Sequence, residues 1–146
     1  MRNFLTNNNM QKQENNFSIP VLALQLLIVA GMLFAGLVLY DSLPDQIPSH
    51  WNIAGEVDSY VNKDFGIYLF PGITLFMVIL FPILSMIDPR RKKYETFKRS
   101  WYILQMAIVL FFAYMYAVTL YLTFHPEVSM IQFVFVGMGI LFIVIG

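Results

Sequence analysis

Apolar and polar residues occur along this chain in long blocks. Four blocks contain no charged residue, and they cover residues 15–40, 65–87, 100–124 and 128–146. A helix rises about 1.5 Å per residue, so about 20 apolar residues match the roughly 30 Å hydrocarbon core of a bilayer. Helices also satisfy their backbone hydrogen bonds internally, as lipid requires. The pattern predicts an all-α membrane protein with four transmembrane helices, over about 19–40, 67–87, 101–124 and 129–146.

The polar segments between these blocks complete the predicted organisation. Residues 1–18 are rich in Asn and Gln and predict a disordered cytoplasmic tail ahead of a membrane domain over 19–146. Residues 41–66 form the loop between the first two helices, and residues 88–100 form a basic loop between the second and third.

Composition and charge support this picture and give it an orientation. The chain is 58% hydrophobic and 12% charged, which is too little charge to cover a soluble domain. Six of the nine basic residues lie in the loop 88–100, so the positive-inside rule places that loop and the N-terminus in the cytoplasm. The cytoplasmic segments then carry eight bases and three acids, a net charge of +5, and the outer segments carry one base and six acids, a net charge of −5. We expect a multi-pass protein of the cell membrane.

The predicted spans contain polar residues but no Asp, Glu, Lys, Arg or His. Proton relays and ion pathways usually need ionisable groups at membrane depth, so an autonomous ion-coupled transporter is disfavoured. Five polar residues are interpreted as interhelical hydrogen-bonding groups: Gln25, Thr74, Gln105, Thr119 and Gln132. Gly31 and Ala35, four residues apart, predict a seam where a neighbouring helix approaches.

The outer loop 41–66 predicts a small hairpin. Pro44 and Pro48 disfavour helix and indicate an extended lead-in over 43–49. Segments 49–52 and 57–60 then flank a four-residue connection in which Gly55 can adopt a positive φ. An isolated hairpin is marginal in water, so Trp51, Ile53 or Val57 would need to bury against the helix ends or the lipid interface to hold it.

The same loop carries a resemblance to a known family. Its pattern is Leu43-Pro44-x-x-Ile47-Pro48-x-His50, followed by Asn52, Gly55, Asp58 and Lys63. The chain resembles the N-terminal domain of SdpI-type membrane proteins, whose named member confers immunity to a secreted killing peptide. Members of this family typically continue into a further membrane region, so the resemblance implies that this chain is a fragment or a short member.

The resemblance implies an outer-loop motif with a partner-binding or a structural role: Pro44, Pro48, His50, Asn52, Gly55, Asp58 and Lys63. The prolines and Gly55 are interpreted as fixing the backbone. His50 is expected to hydrogen-bond Asp58 or Asn52, with partner contact and metal ligation as alternatives. His125 and Glu127 fall on the same predicted face, which leaves a metal or pH-sensing site open without a recognisable ligand spacing.

The inner basic loop supplies the second candidate contact region, with Arg90, Arg91, Lys92, Lys93, Lys98 and Arg99. Its simplest role is to fix topology and contact anionic lipid headgroups. The resemblance also implies that such a protein holds a cytosolic regulator at the membrane. Because the only basic cluster lies against the membrane, nucleic acid is not expected as a partner.

The resulting hypothesis is a non-enzymatic membrane protein, because the chain has no cysteine and no HExxH or GxSxG motif. No cofactor and no metal are expected. The outer hairpin would bind or exclude a hydrophobic peptide toxin, and the inner loop would relay this event. Two alternatives remain at this point: an accessory subunit that packs through Gly31 and Ala35, and part of a transport module completed by oligomerisation.

Overall fold

The computed structural model describes residues 18–87 and 97–146, and these ranges hold four α-helices and one two-stranded antiparallel sheet. In chain order the elements are α1 (Ile19–Leu39), a 3₁₀ turn (Tyr40–Ser42), β1 (Gln46–Trp51), β2 (Val57–Asn62), α2 (Lys63–Ile87), α3 (Lys98–Phe124) and α4 (Met130–Ile145). The predicted tail lies almost entirely outside the described residues, as do Arg90, Arg91, Lys92 and Lys93 of the basic loop.

The four helices were predicted correctly, but several boundaries were not. Helix α2 begins at Lys63, one turn before the predicted 67, and α3 begins at Lys98, where 101 was expected. The hairpin strands are also longer than the predicted 49–52 and 57–60, because β1 already begins at Gln46. Much of the expected lead-in over 43–49 is therefore paired strand, and the outer segment is more ordered than its length suggested.

Helix α1 packs through one stripe of buried residues, Gln25, Val29, Met32 and Gly36, spaced four, three and four apart. That spacing is the period of a single helix face. At the end of the stripe, a Cβ on Gly36 would overlap the hydroxyl of Tyr116 in α3. Close approach of α1 to α3 therefore depends on Gly36, whereas nothing lies within 4 Å of a Cβ placed on Gly31.

The predicted seam at Gly31 and Ala35 accordingly lines an open groove between α1 and α3 and is not the close contact between these helices. The groove has a volume of about 560 Å³ and is apolar, with Ala113 and Ala117 on the α3 side. Small residues thus line both walls. A second helix, from outside the described residues or from another protein, has room to approach here.

Helix α2 continues through Pro71 and Pro82. A proline has no N–H, so Pro71 leaves the carbonyl of Ile67, one turn earlier, without its helical donor. The buried hydroxyl of Tyr116 donates to this carbonyl at 3.1 Å. The carbonyl that Pro71 leaves without a helical donor therefore accepts a hydrogen bond from Tyr116, and this bond connects α2 to α3.

The interhelical hydrogen bonds predicted for the polar residues are not confirmed, and within the described residues the buried Nε2 of Gln25 has no hydrogen-bond partner. Gln25, Thr74, Gln105 and Thr119 are buried, but Gln132 is exposed on α4. Thr74 and Thr119 are not interhelical, because their hydroxyls donate to carbonyls of their own helices, those of Phe70 at 2.8 Å and Met115 at 2.9 Å. A threonine hydroxyl reaches the carbonyl one turn back without a neighbour, and this local bond was preferred.

Helix α3 is central among the four described helices, because it contacts α1, α2 and α4. Helix α4 packs mainly on α3, and only Met130 and Gly137 are buried in it. Helices α1, α2 and α3 are long and apolar enough to cross a membrane, and α4 is a shorter apolar helix of 16 residues. Their outward faces carry large apolar side chains such as Leu27, Phe34 and Phe76, as expected for contact with lipid.

Candidate functional site

Five of the seven residues predicted as the outer-loop motif lie within the hairpin β1–β2. Pro44 lies just before β1, and Lys63 follows β2 at the start of α2. The strands pair antiparallel from Gln46 opposite Asn62 to Trp51 opposite Val57, with irregularities on either side of His50. Strand β1 contacts α2 and α3. Strand β2 also contacts α2, and Val61 packs against the buried cluster below it, so both strands attach the hairpin to the helix bundle.

Two apolar residues that were not predicted as anchors fix the base of the hairpin. Leu43 is 4% exposed and Ile47 is 1% exposed, and both belong to the buried cluster that includes Met32 and Tyr116. The Ile47 side chain lies where a Cβ on Gly66 of α2 would be. The sequence signal was present, since these residues precede the two prolines of the motif, but their burial depends on α2 starting at Lys63.

The expected anchors at the tip behave differently from one another. Trp51 is half-buried and packs against the cluster of Val118, Leu122 and Met130, so its predicted role is confirmed. Ile53 is 97% exposed and does not bury against the helix ends, and its burial in the lipid interface stays a prediction. The turn projects away from the bundle at this residue, which leaves Ile53 no apolar surface to contact within the described residues.

Lys63 closes the base of the hairpin. Its backbone N–H donates to the carbonyl of Asp45 at 2.9 Å, and its Nζ donates to the carbonyl of Leu43 at 3.3 Å. Nζ also lies 3.6 Å from Oδ1 of Asp45 and 5.0 Å from the centre of the Tyr40 ring. The ammonium group is thus turned towards the protein and serves the local structure.

A further contact joins the same two helix ends. The hydroxyl of Tyr40, directly after α1, donates to the carboxylate of Asp64 in the first turn of α2. A carboxylate in that turn is also favourable for the helix dipole. This hydrogen bond therefore links the end of α1 to the start of α2.

The two motif prolines differ in their surroundings. Pro44 is exposed between the 3₁₀ turn and β1, whereas Pro48 is buried within β1, opposite Tyr60. Both positions fit the predicted role of fixing an extended backbone.

Asn52 organises the turn with five hydrogen bonds, one of which its carbonyl accepts from the Gly55 N–H at 2.9 Å. Its Oδ1 accepts from the backbone N–H groups of Ala54 at 2.9 Å and Glu56 at 3.0 Å, and its Nδ2 donates to the Glu56 carboxylate at 3.1 Å. Its backbone N–H donates to the carbonyl of Glu56 at 2.8 Å. Asparagine is suited to such a turn because its short side chain reaches the backbone two residues on.

Gly55 has two separate requirements. Its φ is +80°, in the left-handed region that favours glycine, as the sequence predicted. In addition, a Cβ at this position would overlap Oγ of Ser129 and approach Cβ of Ile131 to 3.0 Å. The tip of the hairpin therefore rests on the segment that begins α4, a contact that sequence reasoning did not anticipate.

His50 and Asp58 form a pair across the two strands, with Nδ1 of His50 2.6 Å from Oδ1 of Asp58. The prediction that His50 bonds Asp58 or Asn52 is confirmed for Asp58. The histidine side chain remains 69% exposed and the aspartate side chain 43% exposed. Because Nδ1 is engaged by the carboxylate, the ring orientation is fixed and Nε2 is left to face a partner.

The other predicted convergence, of His50 with His125 and Glu127, is not supported. The His125 ring stacks on Tyr121 with ring centres 4.2 Å apart, and its Nδ1 lies 2.9 Å from the Tyr121 carbonyl. Among residues 18–87 and 97–146, no three His, Cys, Asp or Glu side chains lie close enough together to hold a metal ion.

At the opposite end of the bundle, only Lys98 and Arg99 of the predicted inner contact region lie within the described residues. They occupy the first turn of α3, and Arg99 is exposed. A cavity of about 310 Å³ beside them is lined by Phe97 and Ser100 from the start of α3 and by Val144 and Ile145 from the end of α4.

Comparison with known families identifies one segment of the chain. A family model for a domain of unknown function (DUF1648) matches residues 27–75. This segment runs from the middle of α1 through the hairpin into α2, and it contains all seven residues of the outer-loop motif. No curated protein and no solved structure was found to match the chain.

The matched segment therefore covers the later part of α1, the hairpin and the first half of α2, and the base of this hairpin is buried while its other face is exposed. Within this segment Asn52, Gly55 and Lys63 form the hairpin itself. The His50–Asp58 pair is the part of the motif that is both polar and open to a partner. Its chemistry is that of a hydrogen-bonded imidazole–carboxylate pair on an exposed strand surface.

Proposed function

We propose that this protein is a non-enzymatic integral membrane protein of the SdpI type. In this proposal the four helices cross the cell membrane, with the N-terminus in the cytoplasm and the hairpin outside. The hairpin binds or excludes a hydrophobic peptide, including a peptide toxin, and the basic end of the bundle contacts lipid headgroups and a cytosolic regulator.

One observation carries this proposal: a hairpin with a buried base holds an exposed polar pair in a fixed place. Leu43 and Ile47 are almost fully buried, whereas His50 and Asp58 are exposed. A loop that served only to connect two helices would not need buried anchor residues, a lysine bonded across its base and a turn held by the hydrogen bonds of Asn52. A pre-organised element costs less conformational entropy when it binds a partner, which favours a recognition role.

The contact at the hairpin tip supports a relay. Gly55 packs against Ser129 and Ile131 at the start of α4, and the backbone N–H of Met130 lies 3.4 Å from the Gly55 carbonyl. Helix α4 runs from there to the cavity beside the first turn of α3, where Lys98 and Arg99 lie. A peptide that displaced the tip would therefore act directly on a helix that ends near the basic region.

The groove between α1 and α3 favours a second candidate function, an accessory subunit of a larger membrane assembly. Small residues on both walls allow the backbone of a partner helix to approach closely. Ala35→Leu combined with Ala117→Leu would fill the groove without changing the hairpin. If this function is correct, the double variant should lose an integral partner that co-purifies with the natural protein.

The leading proposal is tested by challenging cells that express the protein with a panel of membrane-active peptides. We expect protection against at least one peptide, and loss of protection in His50→Ala and Asp58→Ala variants that still insert. Glu127→Ala is the matched control, because it removes an exposed acidic side chain from the connection between α3 and α4 and leaves the hairpin unchanged. Equal protection by all variants, or no protection by the natural protein, would count against the proposal.

A further inference from the structure

The two edges of the hairpin are not equivalent. Strand β1 contains Pro48, follows Pro44 and contacts α2 and α3. Strand β2 also contacts α2, which directly follows it, but it contains no proline, and four of its six residues are exposed. Among the described residues, β2 pairs with no strand other than β1. An edge strand of this kind presents unpaired backbone groups to which another strand can add.

The register identifies which backbone groups of β2 face outward. In an antiparallel ladder, hydrogen-bonded and non-hydrogen-bonded residue pairs alternate. The bond from the Lys63 N–H to the Asp45 carbonyl marks a hydrogen-bonded position. Gln46 opposite Asn62 is then non-hydrogen-bonded, Ile47 opposite Val61 hydrogen-bonded, and Pro48 opposite Tyr60 non-hydrogen-bonded.

This alternation places the N–H and C=O of Tyr60 and the N–H of Asn62 on the edge of β2 that faces away from β1, whereas the Asn62 carbonyl accepts the first hydrogen bond of α2. It also explains how Pro48 is tolerated inside β1, because a residue at a non-hydrogen-bonded position donates nothing to its partner strand. Pro48 therefore removes a donor from the outer edge of β1, and the corresponding edge of β2 keeps its donors.

Charge indicates what kind of segment fits this edge. Residues 46–62 include Glu56 and Asp58 but no lysine or arginine. The nearest lysine, Lys63, is turned inward to the Leu43 carbonyl and Asp45. Tyr60, beside the outward-facing backbone groups, is 55% exposed and offers apolar contact. The edge is thus acidic with an aromatic contact.

We propose that β2 is a docking strand to which a cationic, amphipathic peptide adds in extended conformation as a third strand. This inference rests on the proposed function and specifies its ligand class and binding mode. Main-chain hydrogen bonds to Tyr60 and Asn62 hold the peptide, and its basic side chains face Glu56 and Asp58. Strand addition of this kind selects peptides by their charge and extended conformation more than by a particular sequence.

The test uses the full chain in nanodiscs of zwitterionic phosphatidylcholine and a fluorescent decapeptide of alternating lysine and valine. A second version of the peptide carries N-methyl groups on alternate residues, which block strand addition but keep charge and side chains. Loss of two main-chain hydrogen bonds should weaken binding about tenfold. A glutamate–valine decapeptide should not bind.

A pair of variants tests the same edge from the protein side. Tyr60→Pro removes the outward N–H, whereas Tyr60→Ala removes the side chain and keeps that N–H. We expect the proline variant to bind the lysine–valine peptide at least several-fold more weakly than the alanine variant. In a Trp101→Phe background, Trp51 fluorescence reports whether the hairpin remains docked in each variant. The N-methylated peptide gives an answer even if the proline variant does not fold.

The possible outcomes separate this inference from the proposed function. If the N-methylated peptide binds as tightly as the unmodified one, strand addition is wrong, while protection of cells would still uphold the proposed function. Binding that is equal in empty nanodiscs assigns the peptide to lipid and overturns the inference. Conversion of a dimer to a monomer by Tyr60→Pro would show that β2 pairs with a second copy of the chain, which also overturns it.

Discussion

The base and the outer face of the hairpin use the same short segment for opposite purposes. At the base, Leu43 and Ile47 are buried and Lys63 is turned inward, so each side chain contributes to stability. On the outer face, His50 and Asp58 pair with each other and stay exposed, and Ile53 projects almost completely from the turn. The difference teaches that one short motif can combine residues that stabilise the hairpin with residues that are exposed on its surface.

The largest expected effect comes from the base. Ile47→Ala should destabilise the docked hairpin by about 3 kcal/mol, because it removes a fully buried side chain that contacts α2. Ile53→Ala is the matched control at the exposed tip and should change stability by less than about 0.5 kcal/mol. The measurement is the thermal midpoint of Trp51 fluorescence in detergent, in a Trp101→Phe background that leaves one tryptophan.

The contact between the tip and α4 should be the next most sensitive. Gly55→Ala should cost about 2 kcal/mol, since alanine is strained at a φ of +80° and its Cβ would overlap Ser129. A Gly55→Ala, Ser129→Gly double variant removes the overlap with Ser129 Oγ but keeps the backbone strain and the close contact with Ile131 and loses the Ser129 cap of α4, so it should recover only part of the loss. Full recovery would show that the backbone conformation is not limiting.

Loss of the turn network should have a smaller effect. Asn52→Ala removes the acceptor for two backbone N–H groups and should destabilise the hairpin by about 1 kcal/mol. Asn52→Asp keeps the acceptor but places a second carboxylate beside Glu56, so it should lie between the natural protein and the alanine variant. Trp51 fluorescence in the same detergent measures both.

The exposed pair should matter least for stability. His50→Ala should change stability by less than about 0.5 kcal/mol, because exposed side-chain pairs contribute weakly to folding. Its main effect should fall on peptide binding. A His50→Ala variant as unstable as Ile47→Ala would remove the distinction between the base and the outer face.

The sequence predicted the helices well because uncharged blocks of span length have few alternative structures. It also predicted the hairpin, the positive φ of Gly55 and the His50–Asp58 pair, all of which depend on neighbours close in sequence. It did not predict the burial of Ile47, because that contact requires the start of α2 to place Gly66 beneath the side chain.

Contacts between distant elements were the least predictable. The Gly55–Ser129 contact joins residues 74 positions apart, and no local pattern indicates it. The seam at Gly31 and Ala35 was a reasonable interpretation of small residues, but the shape of Tyr116 made Gly36 the close contact between α1 and α3. The buried threonine hydroxyls in α2 and α3 donate to backbone carbonyls of their own helices, which composition could not predict.

The most direct test asks which side of the membrane carries the hairpin and whether a ligand reaches it. The chain has no cysteine, so Ile53→Cys at the tip and Phe97→Cys at the opposite end can each be probed with a membrane-impermeant thiol reagent. We predict that Ile53→Cys is labelled on intact cells and is protected by a bound peptide, and that Phe97→Cys is labelled only after permeabilisation. Labelling of Phe97→Cys from outside, with Ile53→Cys inaccessible, would contradict the account.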